Sequence, residues 1–290
     1  MLKGLLNLHK PSGMTSRDVV NVVQRLVRPL KVGHAGTLDP LATGVLVICV
    51  GTATRLIEYV QRMPKTYSGT FLLGRESDTE DIEGRVVELA DPPRPTFEQL
   101  SLAAAKFTGE ILQRPPAYSA LKVAGRRAYE LARKGKSADL KPRPITVHRL
   151  EIKSYRYPEV VLDVQCGGGT YIRSLGRDLA EALGTAAVMS ALKRTAIGSF
   201  RVEEAVDPAS LTAENLSRCL LPLVRAVEYL PRLDLTTEEV ARLGHGLTIE
   251  NRISLPEAAE CAGISPAGEM CSILIPRGEN RLTPTLNFPS

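Results

Sequence analysis

The sequence predicts an α+β protein, with a mixed, largely antiparallel sheet and a small β-rich domain at the C-terminus. Strand-like and helix-like segments alternate irregularly, and not in the regular βαβ order that builds a parallel sheet. Residues 44–51 (GVLVICVG) form a continuous apolar run of strand length, which predicts a strand buried on both faces. At 290 residues the chain is long enough for one large domain or two.

The N-terminal half begins with a predicted strand, GLLNLHK at residues 4–10. Thr15 or Ser16 then caps a helix whose apolar residues recur at helical spacing. After the buried strand, TATRLIEYVQRM predicts a short helix capped by Thr52 or Thr54. The other predicted elements of this half are a strand (KTYSGTFLLG), a short strand (GRVVEL) and a helix from Thr96 to about Phe107.

The C-terminal half begins with two predicted strands, ITVHRLEI and EVVLDVQC. In the segment GGGTYIRSLGRDLAEALG, Ile172, Leu175 and Leu179 recur at helical spacing and Gly184 provides a C-cap, which predicts a helix. Before these elements, RRAYELARKG predicts one helix within otherwise loop-like sequence. Near the end of the chain, TTEEVARLGHG predicts a helix and EMCSILIP a strand.

Proline-containing segments suggest where the chain divides. DPAS at 207–210 and two LP pairs precede the final helix and strands, so we predict a large domain over residues 1–229 and a small β-rich domain over residues 230–290.

Composition excludes several classes of protein. No apolar run approaches the roughly 20 residues of a membrane span, and the N-terminus lacks a secretory pattern, so we expect a cytoplasmic protein without a membrane partner. The five cysteines form no CxxC pair and have no histidine at zinc spacing, so we expect neither a disulfide framework nor a metal. The motifs of nucleotide hydrolysis, dinucleotide binding and metalloproteases are missing from the sequence.

Positive charge is concentrated in one segment. Residues 114–153 contain eleven Lys and Arg residues against three acidic residues, although the whole chain carries only +5. Such a cluster is typical of a surface that binds a polyanion, nucleic acid above all. A solvated, lysine-rich surface helix has the same composition, so the charge pattern leaves both interpretations open.

Four polar residues are candidates for chemistry, and each also has an ordinary structural explanation. Asp39 precedes a proline, as an N-cap residue of a short helix does. Arg173 lies four residues before another arginine, a spacing that is typical of an ordinary solvated helix face. Tyr67 fits half-buried strand packing, and His34 stands among glycines without a nucleophile partner or metal spacing.

Together, these residues fall in motifs that resemble those of one family, the TruB-type tRNA pseudouridine synthases. The resemblance extends along most of residues 4–200 and its motifs occur in the family's order. The matching segments are LNLHKPSGMTSRDVV, VGHAGTLDPLATGVLVICVGTATRL, KTYSGTFLLGRESDTEDIEG, RPPAYSALKVAGRRAYELARKG, GGGTYIRSLGRDLAEALG and LKRTAIGSF.

The resemblance implies a reaction and a catalytic set. Members of this family isomerise the uridine at position 55 in the T-loop of tRNA, which implies the tRNA T-arm stem-loop as partner and base flipping as the means of access. By resemblance Asp39 is the catalytic aspartate, Tyr67 the aromatic residue against the target base, and Arg173 the partner of the aspartate.

The same resemblance implies residues that bind the substrate and assigns roles to the domains. Residues 1–229 become the catalytic domain with a basic RNA-binding insertion at about 114–150, and residues 230–290 a PUA-like domain; a monomer is expected. The expected substrate-binding residues are His34, Gly36, Thr37, Asp81, Tyr171, Leu192, Lys122, Arg126 and Arg127.

The chemistry of the reaction agrees with these residue types. Isomerisation of uridine breaks an N-glycosidic bond and makes a C–C bond without redox change, so no cofactor is expected. It needs an ionised carboxylate, and a guanidinium opposite Asp39 favours the charged form in a partly desolvated pocket. Small residues around the aspartate, such as Gly36 and Gly44, let a nucleotide approach the loop.

Three other functions would also use parts of this sequence. A guide-dependent synthase that modifies ribosomal RNA usually has longer basic ends than this sequence. A non-catalytic tRNA-binding chaperone of the same fold has no need of the intact Asp39, Tyr67 and Arg173. A glycosidase for free nucleosides would also use an aspartate but would not need the basic insertion.

Overall fold

The computed structural model describes residues 2–118, 122–123, 126–127, 140–278 and 280–288. Up to residue 201 its strands are β1 (Gly4–Lys10), β2 (Val32–His34), β3 (Thr43–Val50), β4 (Lys65–Leu73), β5 (Arg75–Glu76), β6 (Val87–Glu88), β7 (Gly109–Gln113), β8 (Lys122–Val123), β9 (Arg126–Arg127), β10 (Arg143–Arg156), β11 (Glu159–Cys166), β12 (Ala187–Ile197) and β13 (Phe200–Arg201). The α-helices are α1 (Ser16–Val27), α2 (Ile57–Arg62), α3 (Phe97–Ala105), α4 (Ile172–Glu181), α5 (Leu216–Cys219) and α6 (Thr237–Gly244).

Nine of these strands form one mixed sheet. Its order is β1-β3-β12-β4-β11-β10-β7, with β2 added to β3 and β13 added to β12. All neighbours pair antiparallel except β3 and β12, which are parallel. The predicted fold class, α+β with a mixed and largely antiparallel sheet, is confirmed.

Strand β3 is covered on both faces, as its continuous apolar sequence predicts. Val45, Val47 and Cys49 belong to one buried cluster, whereas Leu46 and Ile48 belong to another. Because successive side chains of a strand point to opposite faces, one strand contributes to two cores. The loop that carries Asp39 leads directly into β3. The C-terminal end of this loop is therefore anchored to a buried strand.

Helix starts are set by side-chain caps in some cases and by a turn in one. Thr15 caps α1 and forms a capping box with Asp18, which confirms one of the two caps predicted there. The predicted cap of α2 by Thr52 or Thr54 is wrong. A 3₁₀ turn precedes that helix, and the Thr54 hydroxyl donates to the Gly51 carbonyl (2.8 Å) instead of accepting from the helix.

The sequence did not predict β12, the strand at the centre of the sheet. It pairs with β3 on one side and β4 on the other, and register shifts interrupt its pairing with β4. The predicted strand GRVVEL shortens to β6. In the basic segment β8 pairs with β9, so the predicted helix does not begin at Arg126; the rest of that prediction lies outside the described residues.

A second sheet of five strands forms a β-rich C-terminal domain. The strands are β14 (Arg232–Asp234), β15 (Ile249–Glu250), β16 (Cys261–Ile264), β17 (Met270–Pro276) and β18 (Arg281–Asn287), in the order β14-β16-β17-β18-β15. The β-rich character of this end is therefore confirmed, whereas the boundary at residues 229–230 and the PUA-like assignment stay predictions.

The C-terminal sheet packs directly on the larger part of the molecule. Ile273 and Phe288 share a buried cluster with Leu56 and with residues of β3. At the edge of this contact the Tyr59 hydroxyl and the Arg62 guanidinium each donate to the Glu260 carboxylate, both at 2.6 Å. The two sheets therefore share a core. None of the helices in the described part of the chain is long and apolar enough to cross a membrane.

Two helical glycines give a matched test of this packing. A Cβ on Gly176 of α4 would lie 2.0 Å from Cε1 of Phe71, so Gly176→Ala should destabilise the protein by about 1–3 kcal/mol or more through overpacking. A Cβ on Gly244 of α6 would meet nothing within 4 Å, so Gly244→Ala should raise stability by about 0.5–1 kcal/mol. Urea unfolding of both variants measures the two effects, and equal effects of the same sign would contradict this packing.

Candidate active site

A cavity of about 420 Å³ opens where the loop after β2, strand β4, the turn before α4 and strand β12 meet. Its size is within the range of pockets that hold small ligands. Residues predicted from the sequence as site residues line it: Gly36, Thr37, Asp39, Tyr67, Tyr171, Arg173 and Leu192. Segments separated by more than a hundred residues in the sequence therefore meet at one cavity.

The loop that carries Asp39 does not begin a helix, so the interpretation of Asp39 as a helix cap is wrong. The backbone of Leu38 is held by the Ser16 side chain, whose oxygen accepts from the Leu38 N–H (2.9 Å) and donates to its carbonyl (3.1 Å). The Ala42 N–H donates to the Asp39 carbonyl in a turn (3.0 Å). The Asp39 side chain is 37% exposed, which leaves one side of the carboxylate accessible from the cavity.

Arg173 faces Asp39 and is buried, so its interpretation as a residue of a solvated helix face is also wrong. Only 6% of its side chain is exposed, and its Nε lies 3.1 Å from Asp39 Oδ2. Its Nη1 lies 3.4 Å from Asp81 Oδ2 and donates to the Thr79 carbonyl (2.7 Å), while Nη2 donates to the Tyr118 carbonyl (3.0 Å). The whole guanidinium is thus occupied, in an orientation that only its planar fork allows.

Asp81 is the second carboxylate on Arg173, and it is more deeply buried than Asp39. It is 3% exposed and accepts from the Thr79 hydroxyl (2.6 Å) and from the Glu83 N–H (3.0 Å). These bonds satisfy Asp81 and hold it against the far side of the arginine. Burial and the Asp81 and Asp39 carboxylates raise the pKa of the neighbouring Glu83.

Tyr67 lies on β4 directly across from Arg194 of β12. Its ring packs in part against the main core and also lines the cavity. Burial raises the pKa of the Tyr67 phenol above its usual value of about 10, so the hydroxyl stays neutral at physiological pH. A neutral aromatic face is therefore presented to the same space as the Asp39 carboxylate.

Arg194 is a buried cation of the site that sequence reasoning missed. It is 2% exposed; its Nε donates to the Val45 carbonyl (2.8 Å) and its Nη2 to the Gly36 carbonyl (3.0 Å), so it ties the Asp39 loop to β3 and β12. A Cβ on Gly44, which has φ +101°, would lie 2.2 Å from the Arg194 carbonyl oxygen. The only signal in the sequence was its position in the LKRTAIGSF motif.

Lys10 is a second buried cation that the sequence did not reveal. Its Nζ donates to the carbonyls of Met14 (2.6 Å), Pro11 (2.9 Å) and Pro40 (3.1 Å), and the last of these bonds fixes the residue after Asp39. Burial lowers the pKa of Lys10 to about 8. The loop that carries Asp39 is therefore held by both Lys10 and Arg194.

Tyr171 is held through its backbone by Gln113, which is 1% exposed. The Gln113 amide donates to the Tyr171 carbonyl (3.0 Å) and accepts from its N–H (2.8 Å). The Arg143 guanidinium lies over the Tyr171 ring, 5.1 Å from its centroid. These contacts fix the backbone just before α4, the helix that carries Arg173 in its first turn.

Some predicted site residues are not brought to the cavity. His34 lies on β2 and is not among the residues that line it. Burial, together with Arg17 and Arg194, lowers the pKa of His34, and its Nδ1 has no hydrogen-bond partner in the described part of the chain. Lys122, Arg126 and Arg127 lie on β8 and β9, but the structure does not describe their side chains.

The arrangement places the Asp39 carboxylate and the Tyr67 ring in the wall of one cavity. Among the described residues, no group of histidine, cysteine, aspartate and glutamate side chains is placed to bind a metal ion. The charged groups at the cavity are Asp39 and several cations, which suits nucleophilic or base chemistry on an anionic substrate.

Comparisons with known proteins give the same family along the chain. The family model for the N-terminal domain of TruB family pseudouridylate synthases matches residues 24–172, and the model for the C-terminal domain of tRNA pseudouridylate synthase B matches residues 173–228. These two matches cover well over half of the sequence.

Relatives named tRNA pseudouridine synthase B are similar over most of their length. The one from Dehalococcoides mccartyi is 43% identical over 262 residues, covering 89% of this chain and 87% of the relative. The one from Gluconacetobacter diazotrophicus is 44% identical, covering 86% and 83%, and the one from an Arthrobacter species is 41% identical, covering 96% and 94%.

Solved structures show the same fold. The structure of a Cbf5-Nop10-Gar1 complex superimposes with a TM-score of 0.75 at 25% identity, covering 99% of this chain and 84% of that chain. An archaeal box H/ACA sRNP Nop10-Cbf5 complex gives 0.71 at 26% identity, covering 94% and 78%. With the family models and relatives, this confirms the resemblance predicted from the sequence: the chain belongs to the TruB family of pseudouridylate synthases.

Proposed function

We propose that this protein isomerises uridine to pseudouridine in tRNA, at position 55 of the T-loop. The observation that carries the proposal is the ion pair between Asp39 and the buried Arg173, in a cavity that Tyr67 also lines. Relatives at 41–44% identity are named tRNA pseudouridine synthase B, which supports tRNA as the substrate.

The proposed reaction breaks the bond between N1 of uracil and C1′ of ribose and makes a bond between C5 and C1′. The proton leaves C5 and N1 gains one, so there is no net redox change. Asp39 acts as the nucleophile, either on the base or on the ribose. Both routes require its carboxylate to be ionised when the uridine arrives.

Arg173 pairs with Asp39 and orients it. Its contacts with Asp81 and with the Thr79 and Tyr118 carbonyls hold the guanidinium opposite the Asp39 carboxylate. Since this support exists before substrate binds, little reorganisation is needed during the reaction.

Tyr67, Tyr171 and Leu192 surround the space proposed for the extruded base. The neutral phenol ring of Tyr67 provides a flat surface for stacking, and Leu192, 7% exposed, contributes an apolar wall. Gln113 of β7 holds the Tyr171 backbone through two hydrogen bonds, which fixes the position of Tyr171 at this space.

Base flipping costs a few kcal/mol, which contacts with the RNA backbone must offset. We assign this role to the basic segment at 114–150, including Lys122, Arg126 and Arg127, with the T-arm stem-loop as the bound element and His34 close to the displaced nucleotide. A monomeric, cytoplasmic enzyme and a PUA-like role for residues 230–290 belong to the same proposal.

A guide-dependent synthase is the second candidate, because the similar solved structures include box H/ACA complexes. Those structures are 23–26% identical to this chain, against 41–44% for the tRNA enzymes. The difference favours a stand-alone tRNA enzyme. Incubation of the protein alone with unmodified tRNA, followed by mapping of pseudouridine, tests this choice: modification at position 55 without a guide supports it, and no modification contradicts it.

Asp39→Asn should abolish isomerisation while tRNA affinity stays within about tenfold of wild type, because the amide keeps the shape but not the charge of the carboxylate. Single-turnover assays and filter binding on the same RNA measure the two effects. Normal turnover by the variant would remove Asp39 from the mechanism.

Arg173→Lys should lower turnover on the order of a hundredfold or more, because lysine keeps the charge but cannot hold Asp39 and Asp81 at once. Since lysine also leaves some of the buried acceptors around Arg173 without a donor, the variant should cost roughly 1–3 kcal/mol of stability. Single-turnover kinetics at saturating stem-loop, with urea unfolding, separates the two losses.

Arg177→Lys is the matched control for this variant. Arg177 lies one turn later on α4, is 12% exposed, and pairs with Glu80 and with Asp178 (2.7 Å) rather than with Asp39. It should lose stability in the same way but retain turnover within about threefold of wild type. If both variants lost turnover equally, a general weakening of α4, and not the contact with Asp39, would explain the Arg173 result.

Replacing Arg126, Arg127, Arg133 and Lys134 together with glutamine should weaken tRNA binding and flatten its salt dependence. Removal of each phosphate contact should reduce the slope of log K against log salt by about 0.7–0.9. Affinity measured at several KCl concentrations tests this. An unchanged slope would leave the basic segment as an ordinary solvated surface.

A further inference from the structure

The cavity lined by Asp39 and Tyr67 also has basic residues in its wall, and the part that they line is called the basic end. Lys65, Arg143 and the turn at residues 167–170 line this part. Lys65 and Tyr67 are two residues apart on β4 and therefore point to the same face of the strand, about 7 Å apart along it. One cavity is thus lined both by Asp39 and Tyr67 and by the cations of the basic end.

The cations at this cavity are not neutralised equally. Arg173 is paired with two carboxylates, Asp39 and Asp81. By contrast, Lys65, Arg143 and Arg194 form no ion pair with any carboxylate of the described residues. Three positive charges therefore line the same space without an acidic partner from the described chain.

These three side chains are held in place by neutral carbonyl groups. Lys65 donates to the carbonyls of Gln61 and Met63, the latter at 2.7 Å, and Arg143 donates to the Gly169 carbonyl at 2.5 Å. Arg194 likewise donates to two backbone carbonyls, those of Val45 and Gly36. Carbonyls orient a cation but leave its net charge, so the basic end is preorganised for an anion.

Lys65 is also buried, with 7% of its surface exposed against 2% for Arg194. Burial and the nearby Arg194 lower the pKa of Lys65 to about 8. A buried ammonium next to a guanidinium is destabilised until an anion enters, and binding of an anion removes that cost.

Gly168 keeps the space in front of Lys65 open. A Cβ at this position would lie 3.1 Å from the Gln61 carbonyl oxygen and 3.7 Å from Lys65 Nζ. A side chain here would project over the ammonium group. The turn at residues 167–170 is therefore compatible with close approach of a backbone group of a ligand.

We propose that this basic end binds a phosphodiester of the RNA that flanks the extruded uridine. The inference rests on the proposed function, because it takes Asp39 and Tyr67 as the place of the base. A nucleotide whose base lies at that end carries its phosphates within the length of a ribose, and the nearest unneutralised cations in the cavity are those of the basic end. The linkage bound there is held by Lys65 and Arg143, with Arg194 contributing its charge.

The first test changes the RNA and leaves the protein intact. T-arm stem-loops carry a single neutral methylphosphonate either 5′ or 3′ of the target uridine, and their affinity is measured with the Asp39→Asn protein so that no turnover occurs. One of the two linkages should bind about tenfold more weakly than the unmodified stem-loop, as removal of a charge-assisted hydrogen bond predicts. Unchanged affinity for both modified RNAs overturns the proposal.

The second test adds Lys65→Gln to the same protein. If Lys65 contacts that phosphodiester, the sensitive methylphosphonate should cost no more than about twofold in this variant, since the variant no longer makes that contact. Arg143→Gln should show the same coupling, which keeps the test valid if Lys65→Gln does not fold. Full, additive losses in both variants overturn the proposal.

Lys106→Gln is the control for charge alone. Lys106 is exposed at the end of α3 and does not line the cavity, so this variant should retain the wild-type response to each methylphosphonate. If it coupled as strongly as Lys65→Gln, the effect would be general electrostatics and the subsite would be rejected. Conversion of the unmodified stem-loop by wild-type protein is measured separately, so absent pseudouridine with intact coupling contradicts only the proposed function.

Discussion

The burial of Arg173 is the constraint on which the rest of the site depends. A guanidinium with 6% of its side chain exposed is costly unless every direction of its fork is occupied. Asp39, Asp81 and two backbone carbonyls occupy them, and they come from the loop before β3, the segment between β5 and β6 and the segment after β7. Because one side chain joins these segments, the geometry of Asp39 is set by the fold and not by its own loop alone.

Other buried cations support the same loop through neutral contacts. Lys10 and Arg194 donate to the carbonyls of Pro40 and Gly36, on either side of Asp39, and neither forms an ion pair within the described residues. The protein thereby fixes the loop with positive charge while leaving Asp39 as the accessible acid at the cavity. The carbonyl groups that accept from these two cations offset part of the cost of burying them.

The accuracy of prediction differed between local and nonlocal features. The strand β3 and the helix α1 followed from patterns within a few residues, an apolar run for the strand and an apolar stripe after a cap residue for the helix, and both are confirmed. The central strand β12 was missed because its sequence mixes buried and exposed residues and its pairing with β4 is interrupted by register shifts. The start of α2 was wrong because the Thr54 hydroxyl donates within the preceding turn, a choice that the residue type alone does not decide.

The sequence by itself determined the family and the fold class and predicted Asp39, Tyr67 and Arg173 as site residues, because ordered motifs and hydrophobic periodicity are local properties of the chain. For Asp39 and Arg173 it left open a helix cap and a solvated helix face. Only the tertiary structure decided against both, since burial and pairing depend on segments far apart in sequence. For the same reason, only the tertiary structure revealed that Lys10, Lys65 and Arg194 are buried. A lysine or arginine is expected at the surface unless the fold surrounds it with carbonyl groups.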